Sequence, residues 1–70
     1  MKFNGLKLKA ERKRLGYSLG ELAKKLAMYE PKASKEVVFQ WETSGQQPSV
    51  RYLTALCRAL NKPMEYFLMK

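Results

Sequence analysis

The sequence predicts an all-α fold in a single small domain covering residues 1–70. Three observations carry that expectation. Apolar residues recur three and four positions apart in successive stretches, the period of one helix face. Serine, glycine and proline fall between those stretches, where helices start and stop. No stretch alternates apolar and polar residues over the length of a strand, and no segment repeats.

The first helix runs from about Asn4 to Leu15 and stops at Gly16, with Leu6, Ala10 and either Leu8 or Leu15 on its buried stripe. Ser18-Leu19-Gly20-Glu21 is a capping box that starts the second helix, where Leu19, Leu22, Ala23 and Leu26 face the core while Lys24 and Lys25 point outward. A proline-bearing connection, Met28-Tyr29-Glu30-Pro31-Lys32, follows. The third helix spans about Ser34 to Thr43 and closes at Ser44-Gly45. Ser34 is the expected N-cap, but Pro31 also suits a first helical position. With Pro31 as the start, the helix gains most of a turn and Lys32 joins Lys35 on it. Ser49 caps a fourth helix, along which Val50, Leu53, Leu56, Cys57 and Leu60 recur at helical spacing. Asn61-Lys62-Pro63 ends it, and Met64 to Leu68 can form one last apolar turn.

Charge is the most informative bulk property. Fourteen Lys and Arg against six Glu and no Asp give a net charge of +8, which favours a polyanionic partner, nucleic acid first. Six of those cations lie between Lys2 and Arg14, against Glu11 alone. No apolar run is long enough to span a membrane, and Met1-Lys2-Phe3-Asn4-Gly5 leads into a charged segment unlike a signal peptide. The one cysteine, Cys57, has no intrachain partner; it fits the apolar stripe of its helix and a reducing, cytoplasmic compartment. With no His and no Asp, a metal cluster, a histidine acid–base pair and a serine triad are all excluded, and the scattered glycines (5, 16, 20 and 45) make no phosphate-cradling loop. Neither an enzyme nor a cofactor is expected.

Two short helices in a basic all-α domain suggest a helix-turn-helix, in which one helix braces on the DNA backbone and the next enters the major groove. The stretch from Leu8 through Arg12 to Gly16-Tyr17-Ser18, then Glu21-Leu22-Ala23 and Leu26, resembles the opening of the Cro/phage-repressor (XRE) family. Gln40-Trp41-Glu42-Thr43-Ser44-Gly45-Gln46-Gln47-Pro48-Ser49 and the closing Leu53 to Leu68 resemble its later segments. The resemblance implies a five-helix, lambda-repressor-like DNA-binding domain whose helix-turn-helix is helices two and three, joined by an enlarged turn.

Carried onto this chain, the resemblance implies an ion pair between Arg12 and Glu42, unless the two are unrelated surface charges. Ser18 and Leu19 head a helix whose amides approach a DNA phosphate. Base recognition falls to Lys35, Glu36, Val37, Phe39 and Gln40, while Val38 and Trp41 pack inward. Gln40 suits adenine, Lys35 guanine and Glu36 cytosine; Phe39 is either a core aromatic or a contact to a thymine methyl. Lys32, Thr43, Ser44, Gln46, Gln47 and Arg51 are candidate phosphate contacts, while Lys7, Lys9, Lys13 and Arg14 contribute general electrostatics. Three features depart from the family pattern: Leu19 replaces its usual Gln, Gly45 falls one residue late, and Met28 to Lys32 lengthens the interval from Leu22 to Glu42.

The function implied is a sequence-specific regulator of double-stranded DNA, a repressor working as a homodimer on a palindromic operator. Its dimer surface is expected in Met64, Tyr66, Phe67, Leu68 and Met69, unless those residues close the monomer core. The alternative is a protein-binding module, such as an antitoxin that neutralises a toxin and represses its own promoter. A basic peptide lying on an anionic membrane is a third reading, and the structured remainder of the chain argues against it.

Overall fold

The computed structural model describes residues 2–68 and contains five helices: α1 (Gly5–Arg14), α2 (Leu19–Ala27), α3 (Lys35–Thr43), α4 (Val50–Leu60) and α5 (Met64–Leu68). Each long helix starts on a side chain that replaces a missing backbone acceptor. The Asn4 carboxamide accepts from the Leu6 and Lys7 amides, and Ser34 and Ser49 accept from Val37 and Tyr52. At α2 the capping box closes both ways, because Ser18 Oγ accepts from the Glu21 amide while Glu21 Oε1 accepts from the Ser18 amide at 2.7 Å. Gly16, at φ +78°, ends α1 in a left-handed turn, with the Gly16 amide bonded to the Lys13 carbonyl and the Tyr17 amide to that of Arg12.

The core lies where α2, α3 and α4 meet under α1 and α5, and is centred on Leu8, Leu22, Leu26, Val38, Leu56 and Phe67. Trp41 packs edge-on to Tyr52 with ring centroids 5.0 Å apart, fixing α3 against α4. Both ends of the chain join this core. Phe3 stacks on Phe67, and the Asn4 amide donates to the Phe67 carbonyl at 2.7 Å. Tyr66 is flanked on the outside by the ammonium groups of Lys7 and Lys62, 5.1 and 5.0 Å from its ring centre.

The expected stripe of α1 is wrong in detail. Leu6 is 74% exposed, and Ala10 and Leu15 are exposed too. Of the two alternatives Leu8 is the buried one, and Glu11 and Arg12 share its face in place of Leu6 and Ala10. Apolar spacing misleads here because two charged side chains go inside, each with a partner. Val50 also leaves the predicted stripe of α4: as the first residue of that helix it lies beyond the core and is 75% exposed. Phe67 is fully buried, so it closes the monomer core and cannot line a dimer surface as it stands. Met69, assigned to the same surface, lies outside the described residues.

Glu11 is held by Arg14, whose Nε and terminal nitrogen donate to its two carboxylate oxygens at 3.1 and 2.5 Å. Those hydrogen bonds hold its carboxyl below the ordinary range despite the opposing effect of burial, with the charges of Arg14 and Lys62 and a hydrogen bond with Tyr66 helping. A depressed folded-state value means the stabilisation is complete above the unfolded carboxyl's pKa of about 4.3 and fades as pH falls through the lower, folded value. Glu11→Gln is therefore expected to be less stable than the parent at neutral pH, with the gap narrowing on acidification. Urea unfolding at pH 7 and at pH 3 measures this, and a gap that stays constant or widens in acid would refute it.

Candidate nucleic-acid interface

The α2–turn–α3 unit presents a polar face around a buried frame. Val38 and Trp41 point into the core from α3, and Glu42 is buried beside them. On the opposite side Lys35, Glu36, Phe39 and Gln40 are exposed, and the helical period gathers Glu36, Phe39, Gln40 and Thr43 along one strip. Phe39 is 52% exposed, so it is an outward aromatic and not part of the core. Val37 departs from its assignment: it is half-buried and packs against the core, leaving little of it for a ligand.

Glu42 belongs to the frame that aims this face. Its two carboxylate oxygens accept from Arg12 Nε at 2.7 Å and from an Arg12 terminal nitrogen at 3.1 Å. The other terminal nitrogen donates to the Tyr17 carbonyl at 2.9 Å. One guanidinium thus ties α1, the entry to α2 and the end of α3. The hydrogen bonds that Arg12 donates to Glu42 raise the Arg12 pKa further, against the effect of burial. Gly5 completes the α1–α3 contact, since a side chain there would collide with the Trp41 carbonyl and come within 3.2 Å of Glu42 Cα.

The ends of the unit show which expected phosphate contacts are available. Ser18 is exposed at the head of α2, and the first amides of that helix lie outside its hydrogen-bond ladder. The Leu19 side chain is half-buried and packs on the core, so any phosphate contact there falls to its amide. Thr43 and Ser44 donate their hydroxyl protons back to the Phe39 and Gln40 carbonyls at 2.8 and 2.7 Å. In this structure their hydroxyl protons are therefore engaged within the helix end. Gln47 Oε1 accepts from the Phe3 amide at 3.2 Å and so anchors the N-terminal segment, while Gln46 is exposed. Gly45 takes the left-handed conformation, φ +77°, that follows the end of α3.

The lengthened connection resolves into turns. The Glu30 amide bonds to the Leu26 carbonyl at 2.7 Å and the Ala33 amide to the Glu30 carbonyl at 3.1 Å, with Pro31 and Lys32 at the bend. Ser34 is the N-cap of α3, so Pro31 does not extend the helix and Lys32 stays exposed in the turn before it. Arg51 faces this turn across a groove and not the strip on α3: it lines the groove with Met28, Tyr29 and Glu30. Sequence reasoning missed that groove and the Glu11–Arg14 pair. The three-residue interval between Glu11 and Arg14 signals the pair; nothing in the apolar period signals the groove, because it counts Val50 as a core residue and leaves Met28 in a connection.

Residues 8–67 match the helix-turn-helix family model. The chain belongs to that family, which makes it a DNA-binding protein of the transcription-regulator kind. A comparison with curated proteins gave no match. Among the described residues no helix is long and apolar enough to cross a membrane.

Proposed function

We propose that the protein is a sequence-specific repressor that reads the major groove of double-stranded DNA with α3. The observation that carries this is the division of α3. Its inward side chains complete the core and the Arg12 pair, while the side chains of Lys35, Glu36, Phe39 and Gln40 are exposed on the other side. Gln40 offers a bidentate match to adenine and Lys35 a donor to guanine, with Glu36 accepting from cytosine and Phe39 covering a thymine methyl. The Ser18–Leu19 end of α2, Lys32 and Gln46 supply the positioning contacts to phosphate. The net charge of +8 draws the domain to the duplex regardless of sequence.

A nine-residue reading helix spans few base pairs, so specificity calls for two copies on two half-sites about 34 Å apart. Met64, Tyr66 and Leu68 are the parts of the C-terminal segment still accessible to a second copy. Occupying the operator represses by exclusion, in the cytoplasm. Selection of bound sites from a random duplex pool tests the reading: an inverted repeat with half-sites one helical turn apart is expected, and recovery of no preferred sequence would sink it. The second reading, a module that also binds another protein such as a toxin, draws support from the open groove between the α2–α3 turn and α4.

A further inference from the structure

The lengthened α2–α3 turn builds something besides a connection. With the outer face of α4 it walls a groove of about 550 Å³. Its apolar parts are unusually bare: Met28 is 76% exposed, Val50 75% and Tyr29 45%. Arg51 and Arg58 stand on the α4 wall, and neither makes an ion pair among the described residues. Two uncommitted cations bordering bare apolar side chains define a partner by complement.

We propose that this groove docks a short acidic, amphipathic helix of another protein. Arg51 and Arg58 are seven residues apart on one helix, which places them about 10.5 Å apart along the axis at 1.5 Å per residue. A helix packed alongside meets both with carboxylates that are themselves seven positions apart. Apolar residues at the third and fourth positions between them share that face and enter the groove alongside Thr54 and Ala55, with Met28 and Tyr29 in its other wall and Val50 at the Arg51 end. Glu30 sets the orientation, because the partner must carry a neutral or basic residue where it passes the turn. A second copy of this chain is a poor occupant. Two α4 helices packed antiparallel about a two-fold axis would set Arg51 against Arg58 of the other, between chains that each carry +8. DNA phosphates would meet the arginines but leave Met28 and Val50 uncovered. A membrane suits a convex surface better than a groove with a glutamate in its wall. The proposal does not depend on the DNA reading, and failure of the operator selection leaves it standing.

The probe is a fluorescein-labelled, stapled helical peptide with glutamates seven residues apart and leucines at the third and fourth positions between them. Saturable binding to the full chain is expected, weakened about tenfold by Arg58→Glu and by Met28→Ser, with the thermal midpoints of both variants close to that of the parent. A peptide with lysines in place of the glutamates should bind the parent at least tenfold more weakly and recover on the Arg51→Glu/Arg58→Glu double variant. Equal binding by the glutamate and lysine peptides, or indifference to Met28→Ser, overturns the proposal. Three other results overturn it too: no peptide binding alongside tight binding to phosphatidylglycerol vesicles; displacement of the peptide by random duplex DNA with matching loss of duplex binding in Arg58→Glu; and self-association that Val50→Ser abolishes.

Discussion

Replacing Glu42 with leucine should cost about 3–5 kcal/mol of folding stability, because it leaves the Arg12 guanidinium buried and uncompensated. A domain of this length is stable by only about 5 kcal/mol, so the variant should keep at most about 2 kcal/mol and lie within or close to its unfolding transition at room temperature. Arg12→Met should be comparably damaging, since Glu42 then remains buried with its two oxygens unbonded. The informative variant is the double one. Arg12→Met with Glu42→Leu strands neither charge, and replacing a buried ion pair by apolar residues of similar volume is often close to neutral. It should therefore recover most of the lost stability, apart from the hydrogen bond to the Tyr17 carbonyl. Arg12→Lys should not rescue, because one ammonium cannot reach both Glu42 oxygens and Tyr17 in that planar arrangement. Urea titrations of all four proteins give the coupling energy directly. A single-variant cost below about 1 kcal/mol, the range of an exposed pair, would show that the guanidinium is solvated and the frame is held otherwise.

The same pair shows why the fold was more legible than its packing. Helix ends are local chemistry: a serine before a helix with glutamate three residues on, as at Ser18 and Glu21, requires no knowledge of tertiary neighbours. Gly16 marks its turn just as locally, because a left-handed residue after α1 needs a glycine. Which face is buried depends on what lies across from it. On α1, Glu11 and Arg12 displace Leu6 and Ala10 from the inside because Arg14 and Glu42 wait there to neutralise them. A hydropathy period assigns every charge to water, so it keeps Leu8 on that stripe but misses the two residues beside it. Val50 fails for the opposite reason: it has helical spacing but little to cover it, since α4 begins beyond the edge of the core. Phe67 meets Tyr66 in its own segment and also Phe3 from the other end of the chain, a partner that no local period indicates. The candidate site divides along the same line. That Lys35, Glu36, Phe39 and Gln40 share an exposed face follows from period and from the anchors Val38 and Trp41. The hydroxyls of Thr43 and Ser44 turn back to carbonyls four residues earlier, a competition that a helix end always offers and that sequence cannot weigh against a phosphate.

On the DNA-binding reading, Gln40→Ala should relax selectivity at one base pair by about 1–3 kcal/mol and leave affinity for random duplex nearly unchanged. The side chain is exposed, and α3 keeps its Ser34 cap and its Val38 and Trp41 anchors without it, so folding should be untouched. Any loss can then be assigned to recognition, which distinguishes this variant from those at Arg12 and Glu42. Lys13 makes the opposite prediction. It is exposed in the last turn of α1 and contributes charge to the basic N-terminal stretch. Lys13→Ala should weaken selected and random duplexes alike, and it should lower the slope of log affinity against log salt by about 1 if its ammonium neutralises one phosphate. Anisotropy titrations on both duplexes at several salt concentrations compare the two variants on one axis. Phosphate contacts change the salt slope without changing the ratio of specific to random binding; base contacts change the ratio without changing the slope. Equal losses on the two duplexes for Gln40→Ala would remove α3 as the reading face. A changed slope with an unchanged ratio would move Gln40 to the backbone and leave the specificity to Lys35 and Glu36.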